Sequence, residues 1–220
     1  MVKYIAIDTA GDPTVILAKN GEKSYLSLIS EQKRTSEVLL PLLDKLLDES
    51  GMSLKTLDFM AVVTGPGSFT GIRIGVNTVK TFSYVNGTPI VAIDSLKKLT
   101  YNNIPNGARE IISVAHAYAN FCYIAVYSAD RSEKEEPQTL DYESACEFIK
   151  SHKDAVTFAD KSAKERLNCE CYSDDTAVSL THAVEDFFIN GKTTDYTKVE
   201  PFYLMKSQAE RELESRNKHD

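Results

Sequence analysis

Residues 65–75 have the sequence Gly65-Pro66-Gly67-Ser68-Phe69-Thr70-Gly71-Ile72-Arg73-Ile74-Gly75. They hold four of the ten glycines in the 220-residue chain, and they lie between an apolar run and a stretch with helical spacing. This layout predicts a strand, a glycine loop and a helix. Glycine permits positive φ and close approach of the backbone, so such a loop either directs amide groups at an anion or packs tightly against a neighbour. The four-residue spacing of Gly71 and Gly75 favours tight packing, and phosphate binding is the alternative.

Two nucleotide-binding motifs do not fit this glycine loop (residues 65–75). A P-loop requires a Gly-Lys pair after its glycines, whereas Arg73 lies within the predicted helix. A dinucleotide fingerprint requires glycine three residues after Gly67, where Thr70 stands. The loop also follows the fourth predicted strand, not the first.

The first hundred residues predict a mixed sheet flanked by helices. The order is three strands, a helix, a strand, a helix and a strand, and Asn20-Gly21 is a hairpin turn signal. The strands are predicted at Lys3–Asp8, Thr14–Ala18, Ser24–Ile29, Asp58–Thr64 and Pro89–Asp94, and the helices at Ser36–Ser50 and Thr70–Asn86.

A turn-rich segment, Tyr101–Gly107, predicts the boundary between two lobes. We expect an N-terminal lobe of residues 1–103, onto which a C-terminal helix within 201–220 packs back, and a C-terminal lobe of residues 104–200. The second lobe is predicted to contain strands at Ile111–Ala115, Cys122–Tyr127 and Ala155–Phe158, a charged loop at Asp130–Glu136, and helices at Tyr142–Ser151 and Asp175–Ile189.

The composition argues against direct binding of RNA and against a membrane protein. The formal net charge is -7 and the pI about 5.2, whereas RNA-binding surfaces are usually basic. Apolar runs fall short of the ~20 residues that cross a bilayer. The first eight residues are typical of a strand and not of a secretory signal. We therefore expect a cytoplasmic protein without membrane contact.

The cysteines and histidines do not predict a metal site. Zinc sites need clustered ligands at matching spacing, and histidine ligands on a helix commonly lie one turn apart. Neither pattern occurs, so we expect reduced, structural cysteines and no metal. The residues concerned are Cys122, Cys146, Cys169, Cys171, His116, His152, His182 and His219.

Four motifs together resemble the TsaB family, formerly YeaZ. The first is the glycine loop, and the second is Ile5-Ala6-Ile7-Asp8-Thr9. The others are Glu37-x-Leu39-Leu40-Pro41-x-Leu43 and the late Tyr203-Leu204-x-x-Ser207-x-Ala209-Glu210. The resemblance covers the first hundred residues well and the tail moderately.

The resemblance implies an α/β fold of the actin/Hsp70/sugar-kinase type (ASKHA, ribonuclease H-like), with two similar lobes of mixed sheets flanked by helices. It also implies a role in placing a threonylcarbamoyl group on the adenosine next to the anticodon of tRNAs that read codons beginning with A. In that family TsaB is the non-catalytic partner of TsaD, which holds the metal and the active site, and TsaE is an ATPase that joins them. We therefore expect an accessory subunit without a cofactor that meets tRNA only through the complex.

The alternative is an ATP-binding or ATP-hydrolysing enzyme of the same superfamily, sugar-kinase-like or peptidase-like. Asp8, with Gly11 in the following turn, is similar to the first phosphate-contacting hairpin of actin-like folds, so Asp8 is a possible vestigial nucleotide contact. The other interpretation is a residue that caps a turn at the sheet edge. Glycine occurs in the second half only at Gly107 and Gly191, so a second phosphate hairpin is not evident.

The two predicted helices of the first lobe carry more apolar residues than one buried stripe requires. We hypothesise that they pack against the corresponding helices of a TsaD-type subunit, or of a second copy of this chain, as a four-helix interface. The alternative is that the second lobe or the tail covers the extra face. The residues assigned to the interface are Leu39, Leu42, Leu43, Leu46, Gly71, Ile72, Gly75, Val76, Val79 and Phe82.

Overall fold

Two five-stranded sheets form the centre of the protein in a computed structural model, which describes residues 2–29 and 35–205. The first lobe contains strands β1 (Lys3–Asp8), β2 (Thr14–Asn20), β3 (Lys23–Ile29), β4 (Phe59–Gly65) and β5 (Ile90–Asp94), and helices α1 (Thr35–Ser50), α2 (Phe69–Asn86) and α3 (Ser95–Leu99). The remainder contains strands β6 (Glu110–Tyr118), β7 (Phe121–Ser128), β8 (Glu133–Asp141), β9 (Ala155–Ala159) and β10 (Tyr172–Ser173), and helices α4 (Tyr142–Ser151), α5 (Lys161–Lys164) and α6 (Thr176–Ile189).

The first sheet has the order β3-β2-β1-β4-β5. The hairpins β1–β2 and β2–β3 are antiparallel, as the Asn20-Gly21 signal predicts, and β4 and β5 join in parallel. Strands β1 and β4 are buried almost throughout because helices cover both faces of the sheet. Gly75 of α2 lies over Ile7 on one face, and Phe188 of α6 stacks on Phe59 on the other.

The second sheet has the order β10-β9-β6-β7-β8. The prediction of a loop at Asp130–Glu136 is wrong in its second half, because Glu133 begins β8, which pairs antiparallel with β7. This edge strand exposes most of its charged residues, so its composition is that of a loop while pairing makes it a strand. The short elements α3, α5 and β10 are also absent from the sequence predictions.

Helix α6 packs against the first sheet, although its residues fall within the range expected for the second lobe. Leu180, Ala183 and Val184 are fully buried in the first core, together with residues of β1 and β4. The described end of the chain also returns to the first lobe, where the Phe202 amide donates to the Thr64 carbonyl at 2.8 Å. The helix predicted at 207–216 lies outside the described residues.

The chain crosses between the lobes at two adjacent points. The side-chain nitrogen of Asn102 donates to the Asp174 carboxylate at 2.8 Å, and the side-chain oxygen of Asn102 accepts from the backbone amide of Asp175 at 2.9 Å. Helix α3 spans the junction, since its Leu96 and Leu99 pack with β6 and β7 of the second sheet. These contacts determine which residues the lobes place opposite each other.

Candidate functional site

The glycine loop forms a tight turn between β4 and α2. Gly65 has φ 110, a value that favours glycine, and the Ser68 hydroxyl accepts from the Gly71 amide at 3.2 Å at the start of the helix. The Ser68 amide donates to the Ala10 carbonyl at 2.7 Å. Two of the amides that could have met an anion thus have partners within the chain.

The glycines of this loop permit close contact with the segment after β1. A Cβ atom on Gly67 would lie 2.2 Å from the Ala10 carbonyl oxygen, and one on Gly71 would lie 2.0 Å from that of Thr9. A Cβ on Gly75 would lie 2.3 Å from the Thr9 hydroxyl. Real side chains do not approach so closely, so the prediction of tight packing for Gly71 and Gly75 is confirmed.

Aromatic residues join the tail to the glycine loop. Phe69 and Tyr203 stack with ring centroids 4.4 Å apart, and the Arg73 guanidinium lies 4.1 Å from the centroid of Phe69. Arg73 also donates to the Tyr203 hydroxyl at 3.0 Å. Gly65 allows the Phe202 carbonyl to approach, since a Cβ there would be 2.5 Å from that oxygen. Arg73 therefore holds the tail against the glycine loop.

Most residues assigned to a partner interface lie inside this chain's own core. The exposed fractions of their side chains are at most 2%, so these apolar groups cannot meet a partner without opening the fold. This group comprises Leu39, Leu43, Leu46, Ile72, Val76 and Val79. Gly71 and Gly75 are buried as well, whereas Leu42 and Phe82 are half-buried. The docking of α1 and α2 on a partner remains a prediction, and it concerns the outer surface of the two helices.

A buried ion cluster lies where the two lobes meet. The Lys98 ammonium lies 2.7 Å from an oxygen of Asp8 and 3.1 Å from an oxygen of Asp174, and all three side chains are at most 7% exposed. Burial acts to lower the pKa of Lys98, but the carboxylates of Asp174 and Asp8 outweigh it and raise that pKa. Burial likewise acts to raise the pKa of Asp174, but Lys98 and the hydrogen bonds from Ser179 and Asn102 lower it.

Asp8 has both carboxylate oxygens occupied by groups of this chain. One oxygen accepts from the Ala10 amide at 3.0 Å, which closes the turn after β1, and the other binds Lys98. The Ala10 contact fits the interpretation of Asp8 as a turn-capping residue, and its contact with a nucleotide stays a prediction. Sequence reasoning missed Lys98 and Asp174. A lysine beside the apolar Leu96 and Leu99 was a weak signal, and its partners are remote in sequence.

A cleft of about 680 Å³ separates the lobes next to this cluster. Its lining includes Thr9, Ser68 and Thr70 of the first lobe and His116 and Asp160 of the second. Asp160 accepts from the His116 amide at 2.8 Å, and burial raises the pKa of its carboxyl group despite such bonds. Burial and the charge of Arg166 lower the pKa of His116. The cleft is large enough for a small polar molecule, but its described lining brings no strong positive charge to it.

Metal-ligand clusters and membrane-spanning helices are absent from residues 2–29 and 35–205. Within these ranges, no three His, Cys, Asp or Glu side chains are grouped so that they could hold a metal ion. His219 lies outside them. No helix in the same ranges is sufficiently long and apolar to span a bilayer.

Comparisons with known proteins show which family the chain belongs to. The family model described as TsaD, tRNA N6-adenosine threonylcarbamoyltransferase, matches residues 29–198. The chain is similar to the tRNA threonylcarbamoyladenosine biosynthesis protein TsaB of Haemophilus influenzae, with 28% identity over 55% of this chain and 52% of the relative. TsaB of Escherichia coli (strain K12) is also 28% identical, over 60% of this chain and 57% of the relative. The chain thus spans about half the length of the curated relatives that it matches.

A solved structure extends the comparison to nearly the whole chain. YeaZ from Pseudomonas aeruginosa superimposes with a TM-score of 0.73 at 22% identity, covering 93% of this chain and 100% of that one. This likeness confirms the actin-like α/β fold with mixed sheets flanked by helices that the sequence resemblance predicted.

Proposed function

We propose that this chain, which belongs to the TsaB (YeaZ) family of tRNA threonylcarbamoyladenosine biosynthesis proteins, is an accessory subunit of the enzyme that introduces this modification into tRNA. In this proposal the chain binds a TsaD-type catalytic subunit, acts together with a TsaE-type ATPase, and does not itself transfer the threonylcarbamoyl group. The modified base is the adenosine next to the anticodon in tRNAs that read codons beginning with A. Without its partner, the chain forms a homodimer.

The outer surface of α1 and α2 is the observation that carries the proposal. Val38 and Leu42 lie one turn apart on α1, and Ile74 and Phe82 lie two turns apart on α2. These four side chains pack against the first core but remain partly exposed. Val85, near the end of α2, is 71% exposed. Apolar side chains along two contacting helices suit a partner that presents helices of its own.

The ion cluster supports an accessory role over the alternative of a nucleotide-hydrolysing enzyme. Asp8 is bound by the Ala10 amide and the Lys98 ammonium, so both of its carboxylate oxygens already have a partner within the chain. The formal net charge of -7 supports the further proposal that a partner provides most of the phosphate contacts to tRNA.

Reconstitution of tRNA threonylcarbamoylation tests the proposal. A TsaD-type subunit, a TsaE-type ATPase, tRNA, threonine, bicarbonate and ATP, with the enzyme that makes the threonylcarbamoyl donor, are combined with and without this chain. We expect modified tRNA only when the chain is present. Modification at an unchanged rate without it, or ATP turnover by the purified chain alone, would contradict the accessory role.

Surface variants locate the docking face. Val85→Asp and Leu42→Asp place a charge on the outer surface, whereas changes at Gly75 or Val79 would act on the core. We expect each variant to weaken binding to the TsaD-type subunit by roughly 30-fold, corresponding to the ~2 kcal/mol of an interface hot spot. Ile189→Asp is the matched control, since Ile189 is 80% exposed on α6, across the sheet. Thermal unfolding verifies that each variant is folded. Wild-type affinity in both test variants would refute this docking face.

A further inference from the structure

The described second lobe brings two cysteines into direct contact. Cys146 lies in α4, and Cys169 lies in the segment between α5 and β10. Their sulfur atoms are 2.9 Å apart, although 23 positions separate them in sequence. This separation is about 0.9 Å longer than a disulfide bond of ~2.05 Å, so a small movement of two side chains would permit a covalent bond.

Both thiols border open grooves on the protein surface. Cys146 is 7% exposed and borders a groove that Asn120, Lys150 and Arg166 also line. Cys169 is half-buried and borders a second groove, lined also by His152 and Tyr172. A small oxidant can therefore approach the pair without unfolding of the core.

We propose that Cys146 and Cys169 are a reversible disulfide site, oxidised by a peroxide and reduced by thiols. In the first step the more exposed Cys169 sulfur attacks a peroxide oxygen, giving a sulfenic acid and, from hydrogen peroxide, one water. In the second step the Cys146 sulfur, having lost its proton, attacks the Cys169 sulfur. The S–S bond forms, and the leaving hydroxide takes up that proton to give a second water. Two thiols and one hydrogen peroxide thus give one disulfide and two waters. This inference does not depend on the proposed function.

The surroundings predict slow oxidation and a preference for this pair. Burial and the contact with Cys146 raise the pKa of Cys169 to about 12, so little of the reactive thiolate exists at neutral pH. Burial also raises the pKa of Cys122 to about 12, and that residue lies fully buried within β7. Cys171 is buried, and its pKa is raised as well. These pKa shifts are alike, so it is the direct sulfur contact that selects Cys146 and Cys169.

The disulfide would tie α4 to the segment that precedes β10. Both elements contribute to the same core cluster, so the bond would restrict the unfolded chain while joining parts that already touch. A loop of this length is expected to raise the thermal midpoint by roughly 5–10 °C in a chain of this size.

Thiol counting and peptide mass spectrometry test the proposal. The purified full chain is incubated for hours with millimolar hydrogen peroxide, its free thiols are blocked with iodoacetamide, and the digest is searched for linked peptides. We expect free thiols to fall from four to two, a linked Cys146–Cys169 peptide, recovery of four thiols with dithiothreitol, and a raised thermal midpoint. Cys122→Ser is the matched control and should still give the linked peptide, whereas Cys169→Ser should not.

Three outcomes would overturn the proposal. The first is four free thiols after oxidation of a protein that circular dichroism shows to be folded. The second is a linked peptide that contains Cys171 in place of Cys169. The third is oxidation that reaches sulfinic acid at Cys169 without any linked peptide. Because Cys169→Ala changes a half-buried residue, it provides a second variant should Cys169→Ser fold poorly.

Discussion

Replacing Lys98 by methionine would remove the positive charge from the buried ion cluster and keep a side chain of similar length. Asp8 and Asp174, at 6% and 1% side-chain exposure, would then face each other's charge without the ammonium between them. Removing one partner of a buried ion pair costs about 3–5 kcal/mol, since the remaining charge is uncompensated. The free energy of unfolding falls by about 2 kcal/mol per molar urea, so we expect the midpoint of urea unfolding at pH 7 to fall by roughly 1.5–2.5 M.

The pH dependence of this loss gives a second, independent signature. In the wild type the pKa of Asp174 is lowered, so its contribution to stability is present above the unfolded pKa of ~3.9 and is lost as the pH falls through its lower folded value. In the Lys98→Met variant the buried Asp174 carboxylate lacks its countercharge, and its pKa should rise above the unfolded value. Lowering the pH from 7 to 5 should therefore stabilise the variant relative to the wild type.

Urea unfolding followed by circular dichroism measures both effects. Lys45→Met is the control, because Lys45 is 64% exposed and forms a surface pair with Glu49; it should change stability by less than about 0.5 kcal/mol. Adding Asp8→Asn to Lys98→Met should recover part of the loss, since the asparagine oxygen can still accept from the Ala10 amide. A Lys98→Met midpoint within ~0.3 M of the wild type, or an equal loss in Lys45→Met, would refute the reasoning.

Two further predictions concern the glycine loop and Asp94. Gly71→Ala should destabilise the protein by about 1–3 kcal/mol, because the new methyl group would lie 2.0 Å from the Thr9 carbonyl oxygen, whereas Gly11→Ala, with no atom within 4 Å, should change the urea midpoint little; equal effects would contradict the packing role. Burial raises the pKa of Asp94 to about 6, so the stability that it contributes is full below about pH 4 and is lost as the pH rises to about 6. Asp94→Asn can still accept from the Lys97 amide. It should remove a loss of unfolding free energy on the order of 2 kcal/mol that the wild type shows between pH 4 and 7, and an unchanged pH dependence would contradict this.

Local signals predicted the first sheet, and remote contacts determined what the sequence missed. The Asn20-Gly21 turn and the apolar run before the glycine loop identify β1 to β4, because each depends on neighbouring residues. Strand β8 has the composition of a loop, and only its pairing with β7 makes it a strand. Helix α6 was predicted with nearly correct bounds, but its pattern does not reveal that it covers the first sheet.

The same distinction applies to the candidate site. The spacing of Gly71 and Gly75 predicts close packing because it places two residues without side chains on one face of the helix, where a neighbouring segment can approach. An excess of apolar residues on α1 and α2 predicts burial on more than one side. It does not separate core residues such as Val79 from half-buried residues such as Leu42, and the first interface assignment therefore included inward-facing side chains. The pairing of Lys98 with Asp174 depends on how the lobes meet, which no local pattern encodes.

The hydrogen bonds of Asn102 to Asp174 and Asp175 place side by side the two points where the backbone leaves and rejoins the first lobe. The intervening residues, 103–173, are therefore a cassette whose ends nearly touch. Such a cassette could be grafted from a relative, or exchanged for a short turn, without pulling β1 to β5 apart, provided that Leu96 and Leu99 of α3 receive a new apolar cover. The same geometry makes the Asn102 junction a natural pivot for opening of the cleft, and such opening would also have to separate Leu204 and Met205 of the tail from the second-lobe cluster.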